Sequence, residues 1–202
     1  MREEEKNTIG INFHALLLPE HEIEFAMLGD PGFVRGLDWG LPRYGHPEGK
    51  IYLHIQEVLQ NIDSLGVVGE ERFFLRALAF LHDTFKYRER KGSGTKWVDQ
   101  HGYLARTYAV PRFSILEPIL DLIEWHDEAY FAWRKIYLNG QRDEGLRRLE
   151  RLQERLADRS RLFYDFFWCD TRTGDKNPAP LIWYEKQLGI APVGSRERIK
   201  AV

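Results

Sequence analysis

The sequence holds a single cysteine, Cys169, among its 202 residues, and only two methionines. No intrachain disulfide can form, which fits a reducing compartment. It has no uninterrupted apolar run near the length of a membrane span. The first ten residues, "MREEEKNTIG", are charged and lack an apolar stretch, so no signal peptide is expected. The net charge is only −2, with 29 basic against 31 acidic residues. No basic footprint argues for nucleic acid as a partner. Internal repeats, low-complexity tracts and alternating strand patterns are missing too. These absences predict a cytoplasmic protein with no membrane partner and little or no sheet.

What is present is 43% apolar and 30% charged, the balance of one globular domain spanning residues 1–202. Residues 12–28 read as one or two short helices broken near Pro19. Residues 29–49, "GDPGFVRGLDWGLPRYGHPEG", are rich in Gly and Pro and predict a long ordered loop. Ile51, Ile55, Val58, Ile62 and Leu65 then recur at three- and four-residue steps, with His54 on the same stripe. A second helix is predicted over 70–87, followed by a polar, basic loop from Arg88 to Lys96. A short helix holds His101, Leu104, Ala105 and Tyr108, stopped near Pro111. Residues 114–138 read as one strong helix carrying Ile119, Leu122, Ile123, His126, Tyr130 and Trp133 on one face. Residues 143–170 read as one long helix with Leu149, Leu152, Leu156, Phe163, Phe167 and Asp170 on a stripe. The expected fold class is all-α, a bundle of about six to eight helices.

Four helices thus each carry one metal-capable residue on an apolar face: His54, His82, His126 and Asp170. Asp83 adjoins His82, about 100° further round the helix, and His101 lies between. Singly, each reads as a hydrogen-bonded core residue or a surface residue. Together they would carry one desolvation penalty after another, and a shared metal removes them all. Imidazole with carboxylate suits first-row divalent metals better than Ca²⁺, and the lack of cysteine ligands argues against a structural zinc site.

The ordered set also resembles a known family. "HPEGKIYLHIQEVL", "LRALAFLHDTFK", "HGYLAR", "IEWHDE" and "WCDTRTG" resemble the His, His-Asp, His, His and Asp segments of the HD-domain superfamily of metal-dependent phosphohydrolases. The nearest local likeness is to the HD module of tRNA nucleotidyltransferases, over residues 45–174. That resemblance implies an HD-domain helical bundle. It implies that His54, His82, Asp83 and Asp170 hold one metal, and that His101 and His126 hold a second with Asp83 bridging. One or two ions of Mn, Fe, Co, Ni or Zn are implied, with Mg as a further option. Two such cations would lower the pKa of a bound water and neutralise charge growing on a phosphate. The substrate class implied is a nucleotide or related small phosphate ester. This chain has no nucleotidyltransferase domain, and it carries Thr84 and Phe85 where many members have a small residue and Gly.

Other residues have two readings each. Lys86, three residues after Asp83, contacts a substrate phosphate or pairs with an acid. Asp127 orients a water or acts as general acid, or is a solvated surface acid. Arg172 reaches a phosphate or pairs with Asp170 or Asp175. His46 contacts substrate or fixes its loop. Trp39, Trp97 and Trp125 stack on a base or simply pack. The arginine-rich stretch 147–161 alternates with acids, as a salt-bridged face does. Two competing functions stand beside hydrolysis: a diiron oxygenase of the same superfamily, with a matching ligand set, and a non-catalytic interaction module.

Overall fold

The computed structural model describes residues 10–90, 92 and 96–189. Its helices run α1 Phe13–Leu17, α2 Glu22–Leu28, α3 Pro31–Leu37, α4 Ile51–Leu65, α5 Gly69–Leu81, α6 His101–Ala109, α7 Leu120–Trp125, α8 Glu128–Tyr137, α9 Arg142–Leu156, α10 Ser160–Thr171 and α11 Ala179–Leu188. Among the described residues there is no strand, only an isolated bridge between Arg43 and His46. The fold is an all-α bundle, as expected. The seven helices of nine residues or more, α4, α5, α6 and α8 to α11, fit the six to eight expected. None is long and apolar enough to cross a membrane.

Three elements differ from the sequence-based expectation. The stretch 29–49 is not all loop: α3 forms inside it. The Asp30 side chain accepts the N–H groups of Gly32 and Phe33 at 2.8 and 3.0 Å, and Pro31 opens the first turn. Residues 114–138 are not one helix. Pro118 lies in a 3-10 segment over Ser114–Ile119, and a second break separates α7 from α8 at His126 and Asp127. Residues 143–170 bend at Ala157, whose φ is +48°. The bend follows from packing, since α9 lies against α8 whereas α10 lies against α4 and α5. The stripe itself holds, with Leu149, Leu152, Leu156, Phe163 and Phe167 all buried.

α5 also ends at Leu81, six residues before the predicted boundary. The Thr84 hydroxyl donates to the Phe80 carbonyl at 2.5 Å and the His82 ring bonds the Ala79 carbonyl at 3.0 Å. Side chains thus take carbonyls that a continuing helix would use. Arg76 of α5 ties the N-terminal helices down. It donates to Glu24 of α2 at 2.9 and 2.8 Å, and both residues are buried.

The turn after α5 is held by a close approach. A Cβ on Gly36 of α3 would sit 1.9 Å from the Thr84 carbonyl oxygen, so only glycine fits. Gly36→Ala is expected to cost about 2 kcal/mol through overpacking. Gly29→Ala, whose Cβ meets nothing closer than 3.5 Å, should cost far less. Urea midpoints of the two variants check this, and equal midpoints would contradict it.

Candidate metal centre

Five elements deliver the predicted ligands to one place. His54 comes from the middle of α4. His82 and Asp83 follow the end of α5, and His101 opens α6. His126 and Asp127 fill the break between α7 and α8, and Asp170 is the penultimate residue of α10. The four histidines and Asp83 are buried. Two of the histidines, His82 and His126, therefore cap helices rather than riding on a helical face as expected. Gly102 makes one approach possible: a Cβ there would lie 2.5 Å from the Glu124 carbonyl oxygen, where α6 abuts α7.

The side chains form two groups. In the first, His54 Nε2 lies 3.1 Å from His82 Nε2 and 2.9 Å from Asp170 Oδ1. In the second, His101 Nε2 lies 3.0 Å from His126 Nε2. Asp83 stands between them. Its Oδ1 is 3.3 and 3.6 Å from His101 and His126, and its Oδ2 is 3.7 and 3.6 Å from His54 and His82. His54, His82 and Asp170 lie close enough to share a cation, and so do Asp83, His101 and His126. Asp127 joins the second group, with Oδ2 at 3.4 Å from His101 Nε2.

The donor set fits a divalent cation on hydrogen-bonding grounds. His82 Nδ1 donates to the Ala79 carbonyl at 3.0 Å and His126 Nδ1 to the Ile123 carbonyl at 2.8 Å. His101 Nδ1 lies 3.1 Å from Glu89 Oε1. With its proton on Nδ1, a neutral ring turns an Nε2 lone pair inward, the form that ligates metals. His54 Nδ1, in contrast, has no hydrogen-bond partner, and Glu48 Oε1 is 3.6 Å from it. His46, Glu48 and His54 form a third group close enough to share a cation.

Charge follows the same division. Burial pushes the His54 imidazole down to about 4, so it stays neutral. Burial also lowers His101, but hydrogen bonds to Asp127, Asp83 and Glu89 outweigh it and push the ring up to about 10. A cation entering the second group must displace that proton. Burial raises the carboxyls of Asp83 and Asp170, yet nearby cations win and hold both well below the usual range. Lys86 leads for Asp83 and Lys176 for Asp170. Asp127 is likewise held low against its burial, chiefly by His126.

A cavity of about 500 Å³ opens onto the groups. Asp83, Asp127 and Asp170 form part of its lining, and so do Lys86, which is paired with Asp83, and His46, which is paired with Glu48. Arg172 does not. It is exposed, with its guanidinium 4.6 Å from the centre of the Trp168 ring. Trp39, Trp97 and Trp125 are also outside the lining, and Trp97 packs on Trp125 at 4.5 Å. Tyr130 and Trp133 supply the aromatic wall instead. Thr84 and Phe85 face the core, with Phe85 4.9 Å from Tyr108 between ring centres, so this departure from the family pattern bears on packing and not on the cavity lining. Lys91 and residues 93–95 of the basic loop lie outside the described residues. Sequence reasoning missed Lys176, Glu48 and Glu89; only their nearness in sequence to Asp170, His46 and Lys86 hinted at them.

Comparison with protein-family models, with curated proteins and with solved structures found no match.

Because Asp83 faces both groups, Asp83→Ala is expected to lose more metal than any other single substitution. His101→Ala should lose no more than one equivalent, leaving the first group loaded. Elemental analysis of variants whose circular dichroism matches the parent checks this. An Asp83→Ala protein as fully loaded as the parent would contradict the bridging role.

Proposed function

We propose that the protein is a cytoplasmic, metal-dependent phosphohydrolase of the HD kind that acts on a nucleotide or related small phosphate ester. The observation that carries the reading is Asp83, whose two oxygens face two separate histidine pairs beneath an open cavity. One or two divalent transition cations would be held by His54, His82, Asp83 and Asp170, and by Asp83, His101 and His126. When bound, they would supply Lewis acidity toward a phosphoryl oxygen and an attacking water.

The chain's own residues then have distinct tasks. Lys86, Lys176 and Arg43 bring positive charge to the cavity, which suits an anionic substrate. The cavity, about 500 Å³, is of a size that holds a ligand as large as a mononucleotide. Tyr130 and Trp133 lie stacked, 6.1 Å between ring centres, as a flat wall for the organic part of the ester. A carboxyl held ionised accepts hydrogen bonds rather than donating a proton. Asp127 Oδ2 is therefore assigned to orienting the water, not to general-acid work. His46, on the lining with Nδ1 held at 3.0 Å by Glu48, is assigned to substrate contact. A small molecule, rather than nucleic acid, is the partner that the near-neutral charge balance favours.

A panel of mononucleotides, deoxynucleotides and 2′,3′-cyclic nucleotides, run with Mn²⁺ or Co²⁺ in air and under argon, tests the reading. Phosphate release or phosphodiester opening at equal rates in both atmospheres is expected. Turnover of none, with iron-dependent O₂ uptake on a substrate lacking phosphate, would replace the hydrolase with an oxygenase.

A further inference from the structure

Two lysines occupy the very oxygens that a cation in the first group would take. Lys86 Nζ lies 2.5 Å from Asp83 Oδ2, the oxygen that faces His54 and His82. Lys176 Nζ lies 2.8 Å from Asp170 Oδ1, which is itself 2.9 Å from His54 Nε2, and 3.0 Å from the Asp170 carbonyl. Both lysines are mostly shielded, with side chains 16% and 17% exposed, and both line the cavity. Asp83 Oδ1, the oxygen that faces the second group, lies 3.3 Å from His101 and 3.6 Å from His126.

We infer that Lys86 and Lys176 form a metal-gated oxyanion clamp, in which each ammonium neutralises a ligand carboxylate until a cation claims that oxygen and turns the ammonium toward a phosphoryl group in the cavity. The inference rests on the metal-dependent reading above and adds a coupling to it. An ammonium within hydrogen-bond distance competes directly with a cation for the carboxylate lone pair and repels the cation as well. Once the cation binds, the same mostly shielded ammonium is left beside it as excess positive charge on the cavity wall, and a phosphate dianion is the ligand that relieves that excess. Metal and oxyanion therefore help each other bind, and by linkage each raises the other's affinity by the same factor. Lysine suits the task because its compact charge sits on a flexible four-carbon stem and can swing between two partners.

A purely structural ion pair would behave in the opposite way, since removing the lysine would leave a buried carboxylate without its partner and loosen the site. The test is Mn²⁺ titration of the full chain by isothermal calorimetry, with and without inorganic phosphate. Parent, Lys176→Met and Lys86→Met are compared, and the second variant serves if the first fails to fold. In the parent, phosphate is expected to tighten Mn²⁺ binding about tenfold, within the ordinary span of such couplings. Without phosphate, each variant is expected to bind Mn²⁺ several-fold more tightly than the parent, and its response to phosphate should shrink. Variants that bind Mn²⁺ as the parent does or more weakly would overturn the clamp and leave the metal centre standing. So would variants that respond to phosphate as strongly as the parent. Absence of Mn²⁺ binding in all three proteins would overturn the clamp and the metal-dependent reading together.

Discussion

The Asp83 carboxylate is buried between two pairs of imidazoles and presents one oxygen to each. A carboxylate in that position is tolerable only if its surroundings supply positive charge or hydrogen-bond donors. The architecture answers that demand with His54 of α4, His82 and Lys86 after the end of α5, His101 at the start of α6 and His126 at the break between α7 and α8. Close approaches at two glycines fix the supports. Gly36 lets α3 press on the turn that carries His82 and Asp83, and Gly102 lets α6 begin against the carbonyl end of α7.

Helix ends serve the site in a way that a continuous helix could not. The last turn of a helix leaves carbonyls without intrahelical partners. His82 and His126 each follow the last residue of a helix, and each uses its Nδ1 on the carbonyl three residues back. The ring is thereby turned with Nε2 inward, and no separate acceptor is needed. His54, inside α4, and His101, at the start of α6, have no such carbonyl. Glutamates lie behind them instead: Glu48 at 3.6 Å and Glu89 at 3.1 Å. The cluster therefore has two rings held by main chain, His82 and His126, one ring bonded to a carboxylate, His101, and one, His54, whose Nδ1 has a glutamate nearby but no hydrogen-bond partner.

This division explains what could be read from the sequence. The apolar periodicity around His54, the stop after the His101 helix and the buried stripe of α9 and α10 were all legible, because burial imposes the helical period on residue type. His54, His82, His126 and Asp170 stood out for the same reason, since each falls on an apolar stripe, whereas Asp83 was marked by its place beside His82 and His101 by the family resemblance. The breaks at His126 and Ala157 were not. Both interrupt segments whose hydrophobic pattern continues unbroken, and they come from tertiary packing and from side chains that bond backbone carbonyls. Helix α3 was hidden by the weight given to Gly and Pro, although its Asp-Pro start is a recognised N-terminal signal. Lys176 sits in a polar turn and looks like any surface lysine until the fold brings it to Asp170. Arg172 looked better placed by proximity, but the chain turns at the end of α10 and lays its guanidinium over Trp168.

In the proposed centre, Asp83 divides its two oxygens between two cation positions. Anomalous diffraction from crystals grown with Co²⁺, recorded at the cobalt edge, examines that directly. Two peaks are predicted, one between His54, His82 and Asp170 and one between His101 and His126, with the Asp83 carboxylate between them. A single peak, or a peak beside His46 and Glu48 with none touching Asp83, would contradict it.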